Sequence, residues 1–124
     1  DLASAPRTPE IAETIAEFRR STRESSVAEG LAALYAYESQ IPEISKTKRE
    51  GLCEFYGIED GDATRFFSVH EHADVWHRQV EREALGRVAD TPEARERALE
   101  SARRCCDALR HALDGVMREN GLAC

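Results

Sequence analysis

Apolar side chains recur along this chain at spacings of three and four, the period of a helix, and no stretch alternates with the period of two that a half-buried strand needs. The pattern predicts five helices. The first opens at Thr8-Pro9-Glu10, where a capping hydroxyl is followed by a first-turn proline and then by an acid near the positive end of the helix dipole. It runs to about Arg20 on a narrow stripe of Ile11, Ile15 and Phe18. Ser26 with Glu29 has the spacing of a capping box and opens a second helix to about Gln40. Its stripe is Val27, Leu31, Leu34, Tyr35, Glu38 and Ile41, so a carboxylate, Glu38, occupies an apolar position. Pro42 interrupts the pattern and kinks or restarts the helix. The third stripe, Ile41, Ile44, Lys48, Leu52 and Phe55, likewise holds one charged residue, Lys48, and Gly57 is its left-handed cap.

The fourth helix, from about Ala63 to Val88, carries the most informative stretch, FFSVHEHADVWHRQV (residues 66–80). His70, Asp74 and His77 stand at i, i+4 and i+7. At about 100° per residue they fall within about 60° of one another, on a single stripe. Phe66, Ala73, Val80 and Ala84 lie along one side of it and Phe67 along the other, which predicts a buried face. Ser68, Arg78, Gln79 and Arg82 lie round the back, and His72 is turned to solvent. The last helix starts at Thr91-Pro92 and closes at Asn120-Gly121, with a stripe of Ala94, Ala98, Leu99, Ala102, Cys105, Cys106, Leu109, Leu113, Val116 and Met117. His111 is expected at the surface. The organisation expected is a linker over residues 1–9 and a single all-α helical-bundle domain over 10–124.

Composition adds limits. The 124 residues are 41% hydrophobic and 33% charged, enough for one modest core. The net charge of −7 disfavours a nucleic-acid partner, since no basic stripe offsets the acidic excess. No apolar run approaches the roughly 20 residues that span a bilayer, and no signal peptide is visible, so the expectation is no membrane partner. Cys53, Cys105, Cys106 and Cys124 form no C-x-x-C pair and read as reduced thiols in a cytoplasmic protein, with Cys105 or Cys106 filling the core.

Two imidazoles and a carboxylate on a buried stripe are costly unless something pairs them. With Glu38 from the second helix they form a four-ligand set of the carboxylate–imidazole kind, which suits iron or manganese better than thiolate-binding metals. The competing reading is a hydrogen-bonded His–Asp–His network with Glu38 paired to Lys48 or an arginine, in an interaction module without metal. Lys48 itself is read either as a catalytic lysine or as a stem packed at the core edge with its charge in water.

These residues also carry a resemblance. EGLAALYAYESQIPEISKTKREGLCEFYGI (29–58), FFSVHEHADVWH (66–77) and ALDGV (112–116) resemble the chlamydial death-domain-associating (CADD-like) family, a branch of the haem-oxygenase-like superfamily that includes the TenA and PqqC proteins. The likeness covers about residues 8–121. It implies a haem-oxygenase-like fold and a non-haem dimetal oxygenase of folate biosynthesis. Such an enzyme uses O2 to make para-aminobenzoate from a tyrosine of its own chain, with a lysine as amino donor. By that likeness Glu38, His70, Asp74 and His77 are metal ligands for iron, manganese or both, and Lys48 is the active-site lysine. It also implies that this chain answers to the C-terminal half of a family member. Two further ligands, a Glu and a His, and the sacrificed tyrosine then belong to N-terminal helices, and the expected partner is that half or a second copy of this chain. A cofactor-free TenA- or PqqC-type enzyme ranks last, because Cys53, Cys105 and Cys106 do not match the nucleophile of the TenA-like hydrolases.

Overall fold

The structure, a computed structural model, describes residues 7–59 and 61–122. Five α-helices follow in order: α1 (Pro9–Arg19), α2 (Val27–Glu38), α3 (Ile41–Tyr56), α4 (Arg65–Val88) and α5 (Pro92–Glu119). Local chemistry sets most of their ends. Thr8 Oγ1 accepts from the Ile11 amide at 3.2 Å. Ser26 and Glu29 form a reciprocal capping box. Gly57 ends α3 at φ 65°, where a side chain would be strained. Thr91 caps α5 by accepting from Ala94 N at 3.1 Å. Pro42 sits in the first turn of α3, where its missing N–H costs nothing, so it restarts the helix rather than kinking it.

The first helix does not stop at Arg20. It continues into a π-helical turn over Arg20–Glu24, which brings Ser21 inward. There Ser101 Oγ donates to Ser21 Oγ at 3.1 Å, Ser21 Oγ lies 3.6 Å from Cys105 Sγ, and Arg104 Nε donates to Glu17 at 3.1 Å. Burial pushes the Cys105 thiol up. Cys105 is the core cysteine; Cys106 and Cys53 are exposed, and Cys124 lies outside the described residues.

Among the described residues the helices pack in the order α1, α5, α2, α4, α3. The seams are closed by small side chains: Ala28, Ala32 and Ala33 of α2, and Ala98, Ser101, Cys105, Ala112 and Gly115 of α5. Small residues let helix axes approach closely and gain dispersion contacts along their length. Thr14 Oγ1 adds a bond to the Ala108 carbonyl at 2.8 Å, tying α1 to α5.

Several larger apolar residues expected inside are not. Leu99, Leu113 and Val116 of α5, Ile44 and Phe55 of α3, and Phe66 and Val80 of α4 are all exposed. Cys106, on the same expected stripe of α5, is exposed as well. On α3 the residues turned inward are Pro42 and Ser45, while Lys48 lies in solvent. The physical reason is the helix order. The main seams are α1–α5, α5–α2, α2–α4 and α4–α3, and these exposed apolar residues lie outside them among the described residues. Periodicity marks which face would gain from burial, whereas the neighbours present decide which face is buried.

Candidate metal centre

α2 ends, and α4 passes its midpoint, at one place on their shared interface. Glu38 is the last residue of α2, and Asp74 and His77 are one turn apart on α4. Asp74 is 2% exposed and is the buried residue of α4. One donor atom from each of Glu38, Asp74 and His77 lies within 4.8 Å of the other two. His77 Nδ1 is 2.8 Å from Asp74 Oδ1 and 3.5 Å from Glu38 Oε2. Ionised carboxylates only accept hydrogen bonds, so the Nδ1 proton of His77 is donated to Asp74. Among the described residues no lysine or arginine is salt-bridged to Glu38 or Asp74. The alternative of a Glu38–Lys48 pair is therefore not what forms.

The other two residues expected at the site stand apart. His70, one turn before Asp74, is outside the close set. Its ring stacks on Phe66 with centroids 4.1 Å apart, and its Nδ1 donates to the Phe66 carbonyl at 2.7 Å. That bond fixes the tautomer and leaves Nε2 as the free lone pair, the state a metal-binding histidine needs. Lys48 has no hydrogen-bond or ion-pair partner among the described residues. The inward cation of α3 is its neighbour Arg49, whose Nη2 donates to Glu71 of α4 at 2.9 Å. None of Cys53, Cys105 and Cys106 joins the set.

One residue escaped the sequence reading. Glu81 follows His77 by one turn, at i+11 from His70, which returns to within about 20° of the same stripe. The spacing i, i+4, i+7, i+11 was available in the sequence. Glu81 Oε2 is buried and has no hydrogen-bond partner. Its carboxyl is pushed up to about 7, first by burial and then by the Glu38 carboxylate, with His77 opposing and Asp74 adding to the rise. Two carboxylates and one imidazole thus meet with no lysine or arginine salt-bridged to the carboxylates among the described residues, and Glu81, outside that close set, leaves one carboxylate oxygen orphaned. Such a donor set fits a divalent metal of the iron or manganese class. Beside Glu38 an apolar hollow of about 490 Å³ opens, edged by Phe18, Leu34 and Tyr37.

Known proteins resemble this chain in sequence. A family described as iron-containing redox enzyme matches residues 1–110. The chain belongs to that family. Its fold is accordingly all-α and haem-oxygenase-like. The chain is 44% identical over 115 residues to a 4-aminobenzoate synthase of Nitrosomonas europaea, an alignment covering 93% of this chain and 47% of that protein. It is 37% identical to a 4-aminobenzoate synthase of Chlamydia muridarum, covering 83% of this chain and 43% of the relative. The corresponding Chlamydia trachomatis protein is 36% identical, covering 89% and 46%. The chain thus spans about half the length of these relatives. Among the described residues no helix is long and apolar enough to cross a membrane.

Proposed function

We propose that this chain is one half of a non-haem dimetal oxygenase that forms 4-aminobenzoate for folate synthesis from a tyrosine of the protein itself. The observation that carries the reading is the meeting of Glu38, Asp74 and His77 across the α2–α4 interface, donor atoms within 4.8 Å of one another. The iron-containing family and the 4-aminobenzoate synthases it resembles support the same chemistry.

Glu38, Asp74 and His77 would hold one metal, and His70 would contribute its Nε2 lone pair. Bound iron, or an iron–manganese pair, supplies redox chemistry with O2. This chain's residues do the rest by position. Asp74, buried, places its Oδ1 2.8 Å from His77 Nδ1, where little water reaches to weaken an electrostatic interaction. Phe66 and its carbonyl fix the His70 ring before any ion arrives, so little ordering remains to be done on binding. Lys48, on a solvated stem, would give up its amino nitrogen without opening a cavity in the core.

The remaining ligands and the tyrosine would come from the other half of the molecule. Its helices would cover the exposed faces of α4 and α5, including Trp76, Leu99 and Leu113, and the hollow beside Glu38. Exposed Cys53 and Cys106 suit a reducing, cytoplasmic setting.

The test is to load the chain anaerobically with ferrous iron, add the N-terminal half of a relative, admit O2 and look for 4-aminobenzoate by mass spectrometry. The proposal expects product from the wild-type mixture, and from chain labelled with ¹⁵N-lysine it expects ¹⁵N in that product. It expects no product from Lys48→Arg, with metal binding intact. Metal binding indifferent to His77→Ala and Asp74→Ala, with no product from any mixture, would refute it.

A further inference from the structure

We propose that Glu81 is a further protein ligand to the metal held by Glu38, Asp74 and His77. The inference rests on the metal-binding reading above and adds a residue to it. Three observations carry it. Glu81 shares the α4 stripe of Asp74 and His77, one turn beyond His77. Its Oε2 is buried and has no hydrogen-bond partner. Its charged neighbours are Glu38, Asp74 and His77, the three residues whose donor atoms already converge.

A buried carboxylate oxygen without a donor costs the full desolvation of that atom, and native structures rarely leave one so. No arginine or lysine is salt-bridged to Glu81 among the described residues, although Arg78 and Arg82 lie on the same helix. Arg78 is instead turned to Glu43 of α3, at 3.3 Å. A divalent cation supplies what the helix withholds: positive charge and a bond to the orphaned oxygen. A glutamate has three side-chain torsions, and rotation about them moves its carboxylate toward the neighbouring turn. With Glu81 bound, a divalent ion meets three carboxylates and one imidazole. Oxygen-rich sets of this kind suit manganese and ferrous iron.

The same geometry sets a trade that a merely structural glutamate would not show. Glu81→Gln removes like-charge repulsion from the metal-free chain while removing a charged ligand from the loaded one. The experiment is a titration of the chain with Mn²⁺, followed by loss of the free-ion EPR signal, alongside thermal melts without metal. Glu83→Gln, on the exposed side of α4, removes the same net charge and serves as the control. The inference expects Glu81→Gln to bind Mn²⁺ at least about tenfold more weakly than wild type. It expects Glu83→Gln to bind like wild type, and the metal-free Glu81→Gln chain to melt no lower than wild type. Glu81→Gln binding with wild-type affinity would overturn the role of Glu81 and leave the Glu38–Asp74–His77 site standing. Wild-type chain that binds neither Mn²⁺ nor Fe²⁺ would overturn both. Should Glu81→Gln melt lower and bind weakly, Glu81→Asp decides: recovered affinity supports ligation, and no recovery overturns it.

Discussion

Glu38 of α2 and His77 of α4 meet at 3.5 Å across the interface between the two helices. The pair joins two elements 39 positions apart in sequence, and Asp74 beneath it is almost wholly buried. A helix end and a mid-helix turn are thereby locked into one polar cluster, and the expectations below follow from the packing around it.

Ser26 holds the start of α2, and α2 in turn carries Glu38. Its hydroxyl accepts from Glu29 N at 3.4 Å, and Glu29 Oε2 accepts from Ser26 N at 3.3 Å. Ser26→Ala is expected to cost about 1 kcal/mol of stability in urea denaturation. An unchanged midpoint would show that the box contributes nothing.

Two glycines in helix interiors should respond with opposite sign. A Cβ at Gly86 of α4 would meet nothing within 4 Å, so Gly86→Ala should stabilise by about 0.5–1 kcal/mol through helix propensity. A Cβ at Gly30 of α2 would come within 3.2 Å of the Ser21 backbone carbonyl, part of the π-helical turn. Gly30→Ala should lose that gain and destabilise. Paired denaturant melts decide it, and equal shifts would contradict the close approach of α2 to the turn.

How much of this was legible beforehand follows from which interactions are local. Helix ends were readable because Thr8-Pro9, Ser26 with Glu29, Gly57 and Thr91-Pro92 act through neighbouring backbone groups. Glu38, Asp74 and His77 were readable as polar groups on apolar stripes. The inward face of α3 was not, because it depends on which helices lie beside it. There Pro42 and Ser45 pack inward while Ile44, Lys48 and Phe55 face out. Glu81 went unread because a surface glutamate four residues from a histidine looks ordinary until its oxygen is seen to be buried and unpartnered.

Acid should weaken the fold through Glu17. Burial alone would raise its carboxyl, but hydrogen bonds from Arg20 and Arg104, with their charges, outweigh burial and hold it below the ordinary value of 4.5. A carboxyl lowered by folding contributes stability that is present above its unfolded value and lost as pH falls through its folded value. Urea midpoints should therefore fall as pH drops below about 4.5, and Arg104→Met should flatten that fall. A midpoint rising in this window would reverse the sign and contradict the pairing.

Trp76 is the sole tryptophan and is 64% exposed on α4. Its fluorescence should be that of a solvated indole in the isolated chain. It should shift to the blue when the N-terminal half of a relative is added, as helices cover that face. Emission that stays unchanged on mixing would argue against docking there.

The central claim is that α2 and α4 together build a metal site. Anaerobic equilibrium dialysis against ferrous iron, comparing wild type with Asp74→Asn, tests it most directly. The asparagine keeps the shape of the buried side chain and removes its charge. The expected result is bound iron in the wild type, with affinity at least about tenfold lower in Asp74→Asn. Equal binding by both proteins, or none by either, would contradict the claim.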